Sequence, residues 1–219
     1  GGGPAGMFAA ITAAQNGQNV LLLEQNDRLG KKLLITGKGR CNVTNNCSAA
    51  EVLQNVPRNG RFLYSAMDAY PPARIMEFLE ENGCALKTER GNRVFPVTDR
   101  SSSVLDCLKN VMRKSGVTVR TAKVKGISTL NGCVCGVRTE QEHIDCRWVI
   151  LATGGLSYPA TGSYSVSFPA GTEISFGAIG KGCAAENAVS AMGLELGKIS
   201  SLTAQQFVNI TLVMTISIL

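Results

Sequence analysis

Six residues, Gly1-Gly2-Gly3-Pro4-Ala5-Gly6, constrain the fold of this chain more than any other stretch. Gly1, Gly3 and Gly6 fit the spacing G-x-G-x-x-G. In that spacing the first glycine makes a tight turn, the second lets a phosphate approach the backbone, and the third lets a helix pack against a strand. The run MFAAITAAQNG that follows offers small and apolar residues for a closely packed helix, with Asn16-Gly17 as a left-handed stop. Asn19 to Leu23 then reads as a strand ending in Glu24, 18 residues beyond Gly6. A carboxylate at that place holds a ribose 2′-hydroxyl. Helix, stop, strand and acid come in the order a dinucleotide site requires, so a pyrophosphate is expected against Gly1, Gly3, Pro4, Ala5 and Gly6.

The glycine turn ordinarily follows a buried strand, yet residue 1 is already the turn. The expectation is therefore a chain truncated at the first strand of its sheet. The 219 residues, 44% hydrophobic and 17% charged, suffice for one large or two small domains with a real core. A formal net charge of +6 favours anionic ligands, and cofactor phosphates account for it as readily as nucleic acid does. The basic residues are spread out, with a local excess at Arg28, Lys31, Lys32, Lys38 and Arg40 and no interleaved aromatics, so a nucleic-acid partner is not the expected one.

The eight cysteines form no C-x-x-C pair and read as reduced cytosolic thiols. His143 is the single histidine, which argues against a zinc site or a Ser-His-Asp triad and reads as an exposed residue of a polar loop. No metal is expected. No window reaches the roughly 18 to 20 apolar residues of a membrane span. The start of the chain also lacks a secretory pattern, so a cytoplasmic location without a membrane partner follows.

After Glu24 a polar loop runs from Gln25 to Lys32. It leads to LLITGKGRCNVTNN, in which Gly37, Lys38, Gly39 and Arg40 combine two glycines with two cations and Asn42 adds a short polar side chain. Such a segment brings backbone N–H groups and charge to a phosphate or a ring.

The run GGGPAGMFAAITAAQNGQNVLLLEQNDRLGKKLLITGKGRCNVTNN resembles the start of the YhiN-like bacterial NAD(P)/FAD-dependent oxidoreductases of the aminoacetone-oxidase type. Four of that family's features are matched in order: Gly1, Gly3 and Gly6; Glu24; Gly37 to Asn42; and Ala152, Thr153, Gly154 and Gly155 of the later ATGG segment. The resemblance implies an α/β flavoprotein: a Rossmann-like FAD-binding domain with a parallel sheet, flanking helices and a β-meander. It implies FAD as cofactor, NAD(P)H as electron donor, and hydride or electron transfer to a small-molecule substrate the sequence does not name. It places Gln25, Lys32 and Cys41 near the cofactor and the backbone at Val124 against the adenine. Cys41 and Cys47, with five residues between them, point to different faces of a helix, so a redox pair there is disfavoured.

Further along, Ser48 to Gly60 reads as loop, and RFLYSAMDAYPPARIMEFLEENG as helix broken at Pro71-Pro72 and ended by Gly83. Strands are expected at Cys84 to Lys87 and Arg93 to Pro96. Thr98 to Ser103 would cap a helix over Val104 to Ser115. Strands follow at Gly116 to Arg120 and Lys123 to Ile127, and Asn131-Gly132 marks a hairpin into Cys133 to Val137. Cys133 and Cys135 share a strand face and read as packing. Asp145 to Leu151 reads as strand, with Trp148 to Gly155 a buried strand entering a glycine turn.

The resemblance fades after Ser163, so residues 1–163 are expected to form the nucleotide-binding domain and 164–219 a divergent tail, with Gly180-Lys181-Gly182 and the apolar ending Phe207 to Leu219 unassigned. The family's substrate domain would be missing. Three readings follow: an FAD-binding oxidoreductase fragment, an NAD(P)-binding dehydrogenase domain, or a truncated product that holds no cofactor. A flavin-dependent nucleic-acid modifier is a further reading on charge grounds, testable by salt-dependent RNA retention.

Overall fold

The computed structural model describes residues 1–57 and 59–154. The expected boundary after Ser163, the segment around Gly180-Lys181-Gly182, the apolar ending and Gly155 lie outside the described residues.

Helix α1 (Pro4–Gln15) is the centre of the fold. Ala5 to Ile11 are all buried, so its first two turns are enclosed on every side, which the small residues of that run permit. It ends as expected. Gly17 (φ +78°) donates to Ala14 and Gln18 to Ala13, the paired hydrogen bonds of a Schellman stop. Strand β1 (Leu21–Glu24) then pairs in parallel with β5 (Thr118–Thr121), Leu21 opposite Thr118 and Glu24 opposite Thr121. A parallel pair needs a long crossover, and helix α5 (Ser101–Lys114) completes it, burying Val104, Leu105, Leu108, Val111 and Met112 against the core that includes Met7, Ile11 and Leu22. The fold is Rossmann-like, a parallel pair with helices packed on it, supplemented by two antiparallel sheets.

One antiparallel sheet has the order β2 (Thr44–Asn45), β4 (Arg93–Pro96), β3 (Leu86–Glu89), with β3 and β4 joined through Gly91 and Asn92, both at positive φ. Between β2 and β3 come α2 (Ala49–Gln54), a 3-10 turn (Gly60–Leu63), α3 (Tyr64–Ala69) and α4 (Pro72–Glu81). The break at Pro71-Pro72 separates α3 from α4, and the Phe78 ring of α4 lies 4.7 Å from Phe8 of α1. The other sheet is the expected meander: β6 (Val124–Leu130), β7 (Cys133–Thr139) and β8 (His143–Asp145). Asn131 and Gly132 both take positive φ, as a two-residue hairpin turn demands.

Several expectations are corrected. Ser48 to Gly60 is not all loop, because Ser48 and Glu51 form a reciprocal capping box that starts α2. Ser48→Ala is expected to cost about 1 kcal/mol. A lower urea midpoint with unchanged slope is the measurement that checks it. The serine run does not cap α5. Arg100 stands at its N-cap with no side-chain hydrogen bond, and Ser101 is buried inside the first turn, donating to the Leu34 carbonyl at 2.9 Å. Cys133 and Cys135 do not form one packed face, because the register shift between Ser128 and Thr129 makes a bulge at Cys135, and Cys133 is exposed.

The apolar run Trp148 to Leu151 is not a buried strand. It shows only an isolated bridge at Leu151, and Trp148 and Ile150 are 68% and 39% exposed. An apolar run is enclosed as a strand when it pairs in a sheet whose faces carry packed helices. Among the described residues no ladder includes 147–150, and none lies on the edge of β1 opposite β5.

Candidate functional site

The glycines of the opening turn are set by what surrounds them. A Cβ on Gly1 would stand 2.2 Å from the Ala152 carbonyl oxygen, one on Gly2 2.2 Å from Leu29 Cδ2, and one on Gly6 1.8 Å from the Gly1 carbonyl oxygen. Gly3 differs, since a Cβ there would meet nothing within 4 Å. The turn is packed on the protein side and open at Gly3. Gly3 is also the N-cap of α1 and, having no side chain, makes no cap hydrogen bond; Pro4 follows at the first helical position. The N–H groups of Ala5 and Gly6 therefore have no acceptor within the helix and lie at the positive end of its dipole, an arrangement that takes an anion. Ala5 packs on Ala152, which brings the expected Ala152-Thr153-Gly154 segment to the glycine turn, with Thr153 and Gly154 exposed and Gly154 at φ +73°.

Glu24 reaches the same turn from the end of β1. It is 8% exposed; its Oε2 accepts from the Gly2 N–H at 2.5 Å, and its Oε1 accepts from the Asn26 N–H at 2.8 Å and the Asn26 carboxamide at 2.5 Å. Burial alone would raise the carboxyl's pKa, but the hydrogen bonds from Asn26 and Gly2 outweigh it and hold it below its ordinary value. An ionised carboxylate has about four acceptor positions. Three are used here, which leaves one for a hydroxyl. The Gly2 carbonyl in turn accepts from Gly30 at 2.8 Å, so Gly2 is fixed at both ends. Gln25 beside Glu24 is exposed. Val124, 43% exposed at the start of β6, lies close in sequence to Ala122, whose N–H donates to the Glu24 carbonyl at 2.8 Å.

The segment Gly37 to Asn42 closes a 3-10 stretch (Leu33–Gly39). Gly37, Lys38, Gly39 and Cys41 all take positive φ, and a Cβ on Gly37 would meet the Asn42 nitrogen at 2.8 Å. For Lys38 and Cys41 that conformation costs about 1–3 kcal/mol each. Lys32 and Lys38 are exposed. Arg40 is committed within the protein: it pairs with Glu89 and with Asp99, its Nε 2.8 Å from Asp99 Oδ1, and its guanidinium carbon lies 4.1 Å from the Phe95 ring centre. Lys87 also pairs with Asp99, at 2.6 Å. The Asp99 carboxyl is held low by Lys87 and Arg40, and that of Glu89 by Arg40. Burial pushes the Cys41 thiol up to about 11, so at neutral pH it is no thiolate nucleophile. Among the described residues the cysteines are free, Cys41 and Cys47 included.

A flavin dinucleotide fits these residues. The turn is open at Gly3, the helix end is bare of side-chain caps, and Glu24 keeps an acceptor position. Among the described residues, Asn42 Oδ1 and Thr44 Oγ1 are buried without a hydrogen-bond partner, as polar atoms that meet a ligand are.

Sequence reasoning missed Asn26, Glu89 and Asp99. Asn26 carried a signal, a carboxamide two residues past the acid. Glu89 and Asp99 lie 49 and 59 residues from Arg40 and carried none. His143 is not in a loop but on β8, with Nε2 3.0 Å from Ser128 Oγ and Nδ1 3.2 Å from Asp145. Its ring crosses β7 over Gly136, where a Cβ would strike it at 2.5 Å. The order of groups is that of a hydrolytic triad, but the Asp145 side chain is 95% exposed and solvent-screened, so it lends the ring little. Among the described residues no group of three or more His, Cys, Asp or Glu is placed to hold a metal, and no helix is long and apolar enough to cross a membrane.

Fold and site together define a Rossmann-type domain with a dinucleotide-shaped turn. The chain belongs to the HI0933-like protein Rossmann domain family, which it matches over residues 1–200, beyond the Ser163 at which the resemblance was expected to fade. It is 32% identical over 165 residues to the 3-dehydro-bile acid delta(4,6)-reductase of Clostridium scindens, covering 74% of this chain and 40% of that protein. It is 30% identical over 172 residues to the ribosomal RNA dihydrouridine synthase of Escherichia coli, again 74% of this chain and 40% of the relative. The chain thus spans about two fifths of the length of these relatives. Among solved structures it is similar to Thermovibrio ammonificans THI4, with a TM-score of 0.49 and 17% identity over 71% of this chain and 55% of that one.

Proposed function

We propose that the chain is the FAD-binding part of a cytoplasmic oxidoreductase that uses NAD(P)H as electron donor. The observation that carries this is the meeting of Gly1 to Gly6, the uncapped start of α1 and the Glu24 carboxylate at one turn. In this reading the N–H groups of Ala5 and Gly6 hold the pyrophosphate, Gly3 leaves room for it, and the free position on Glu24 accepts from the ribose. The backbone at Val124 borders the adenine. Gly37 to Asn42 and Thr153 to Gly154 would border the ring, with Asn42 Oδ1 as a hydrogen-bond acceptor on that side. FAD supplies hydride and electron transfer when bound; the chain binds it, orients it and excludes water from it.

One relative is named a reductase of a bile acid and the other a synthase of dihydrouridine in ribosomal RNA, and forming dihydrouridine from uridine adds two hydrogens. What they share is the reduction, so reduction of a substrate by hydride is the reading for this family member too. Glu24 would suit the adenosine of NAD(P) equally; the strained segment at Gly37 to Asn42, with the unpartnered Asn42 Oδ1, suits the ring-bearing half of either dinucleotide, and an absorption spectrum separates the two.

The test is an absorption spectrum of the purified chain after FAD is added and the protein desalted. A retained flavin band in the blue with one FAD per chain is expected. A colourless protein that still binds ADP would favour the NAD(P) reading, and one that binds neither would end both.

A further inference from the structure

We infer that Asp99 and Glu89, acting through Arg40, are positioning residues that hold the Gly37–Asn42 segment in its ligand-ready shape before any cofactor arrives. This rests on the reading above, in which that segment borders the flavin. Four of the five residues from Gly37 to Cys41 have positive φ; Arg40, at φ −93°, is the exception. Beyond the bonds internal to the 3-10 stretch, Arg40 N–H donates to the Gly37 carbonyl and Cys41 N–H to the Thr36 carbonyl, at 3.2 and 3.1 Å. Backbone bonds of one short turn are little to hold a run of left-handed residues that an unconstrained chain would leave.

The Arg40 side chain supplies the rest. Its planar fork meets Asp99 through Nε and Nη2 and Glu89 through Nη2, and its face lies on Phe95. One side chain thus ties the segment to the end of β3, to β4 and to the turn before α5, a task for which a rigid guanidinium suits better than an ammonium. Asp99 is itself at φ +54° and is held there by its N–H to Pro96 and by Lys87.

The charge count points the same way. Arg40 and Lys87 face Glu89 and Asp99, two cations against two carboxylates, so the cluster has no net charge left to attract a phosphate. Arg40 is spent on shape, and the segment offers a ligand the exposed Lys38 ammonium and the unpartnered Asn42 Oδ1.

The experiment compares the full chain with Asp99→Asn, Arg40→Met and Arg40→Lys. Amide hydrogen exchange is read without FAD, and FAD and ADP dissociation constants are read beside it. ADP reports on the glycine turn, Glu24 and the adenine side at Val124, and not on residues 37–42. Asp99→Asn and Arg40→Met are expected to speed exchange over residues 37–42 by about tenfold and leave α1 unchanged, with Arg40→Lys in between. FAD affinity should fall by about tenfold while ADP affinity stays within about twofold. Unchanged exchange at 37–42 in the folded variants overturns the inference, and so does equal weakening of FAD and ADP, which would mark a general scaffold. If the parent chain binds neither ligand, the cofactor reading fails, and the exchange data still decide whether Arg40 holds the segment.

Discussion

Gly6→Ala is expected to lower the melting temperature by roughly 3–8 °C and to remove saturable FAD binding. Helix propensity argues the other way, because alanine in place of a helical glycine is worth about 1 kcal/mol of added stability. The surroundings reverse the sign. The added Cβ would lie 1.8 Å from the Gly1 carbonyl oxygen, 3.0 Å from its carbon and 3.3 Å from Ala152 Cβ. Two of these are backbone atoms, which cannot rotate out of the way as a side chain end can. Nor does Gly1 have open space beside it, since an atom added at its own Cβ position would stand 2.2 Å from the Ala152 carbonyl oxygen and 3.3 Å from the Thr153 Cα. Overpacking of this kind costs about 1–3 kcal/mol, occasionally more, which exceeds the propensity gain.

Gly3→Ala provides the contrast. Gly3 has φ −75° and ψ 176°, which alanine adopts without strain, and its Cβ would touch no protein atom. Its melting temperature should therefore match the parent to within about 2 °C. If a pyrophosphate lies over this position, FAD affinity nonetheless falls by about tenfold or more, since the new methyl group stands where the phosphate approaches. Thermal melts and FAD titrations of the two variants separate folding from binding. An undisturbed melt in Gly6→Ala, or parental FAD affinity in Gly3→Ala, would contradict this account of the turn.

The parts of this fold that could be read from the sequence are those settled by neighbours in the chain. Helix α1 with its stop at Gly17, the strand ending in Glu24, the hairpin at Asn131-Gly132 and the break at Pro71-Pro72 each depend on residues a few positions apart. Helix α2 had a local signal too, Ser48 and Glu51 in capping-box spacing, obscured by the polar residues around it. What could not be read depends on partners distant in sequence. The cation pattern at Gly37 to Arg40 suits an anionic ligand, but Arg40 meets Glu89 and Asp99 only after the β3–β4 hairpin has folded beside it. Trp148 to Leu151 has the composition of a covered strand, yet hydropathy records what burial would favour and not whether a pairing strand lies alongside. The Ser128, His143 and Asp145 grouping depends on a register in which Gly136 leaves space for the ring. Of the expected site residues, the structure draws Gly1 to Gly6, Glu24 and Ala152 to Gly154 to one turn, while Arg40 turns to the protein.

Glu24→Gln is expected to destabilise the chain by about 1–3 kcal/mol at neutral pH and to weaken ADP and FAD alike by about tenfold or more. The carboxylate accepts from three donors, Gly2 N–H, Asn26 N–H and the Asn26 carboxamide. A glutamine of the same shape has one oxygen and one NH2, so at least one of those buried donors would face another donor. The loss is of a charge-assisted bond on a buried group, well above the worth of an exposed pair. The same carboxyl leaves a mark on the pH dependence. Its folded pKa lies below the ordinary 4.5, so the unfolded chain takes up a proton at a pH where the folded chain does not. Its stabilisation is whole above the unfolded value and drains away as pH falls through the folded one. Glu24→Gln removes that proton uptake, so its stability should fall less steeply than the parent's as the pH drops below about 4.5, bringing the two curves together in acid. Urea midpoints from pH 7 down to pH 3 measure this directly. Parallel curves would mean that the Glu24 charge contributes nothing to the fold, and with it would go the argument that this carboxylate is held ionised at the glycine turn for a ribose hydroxyl.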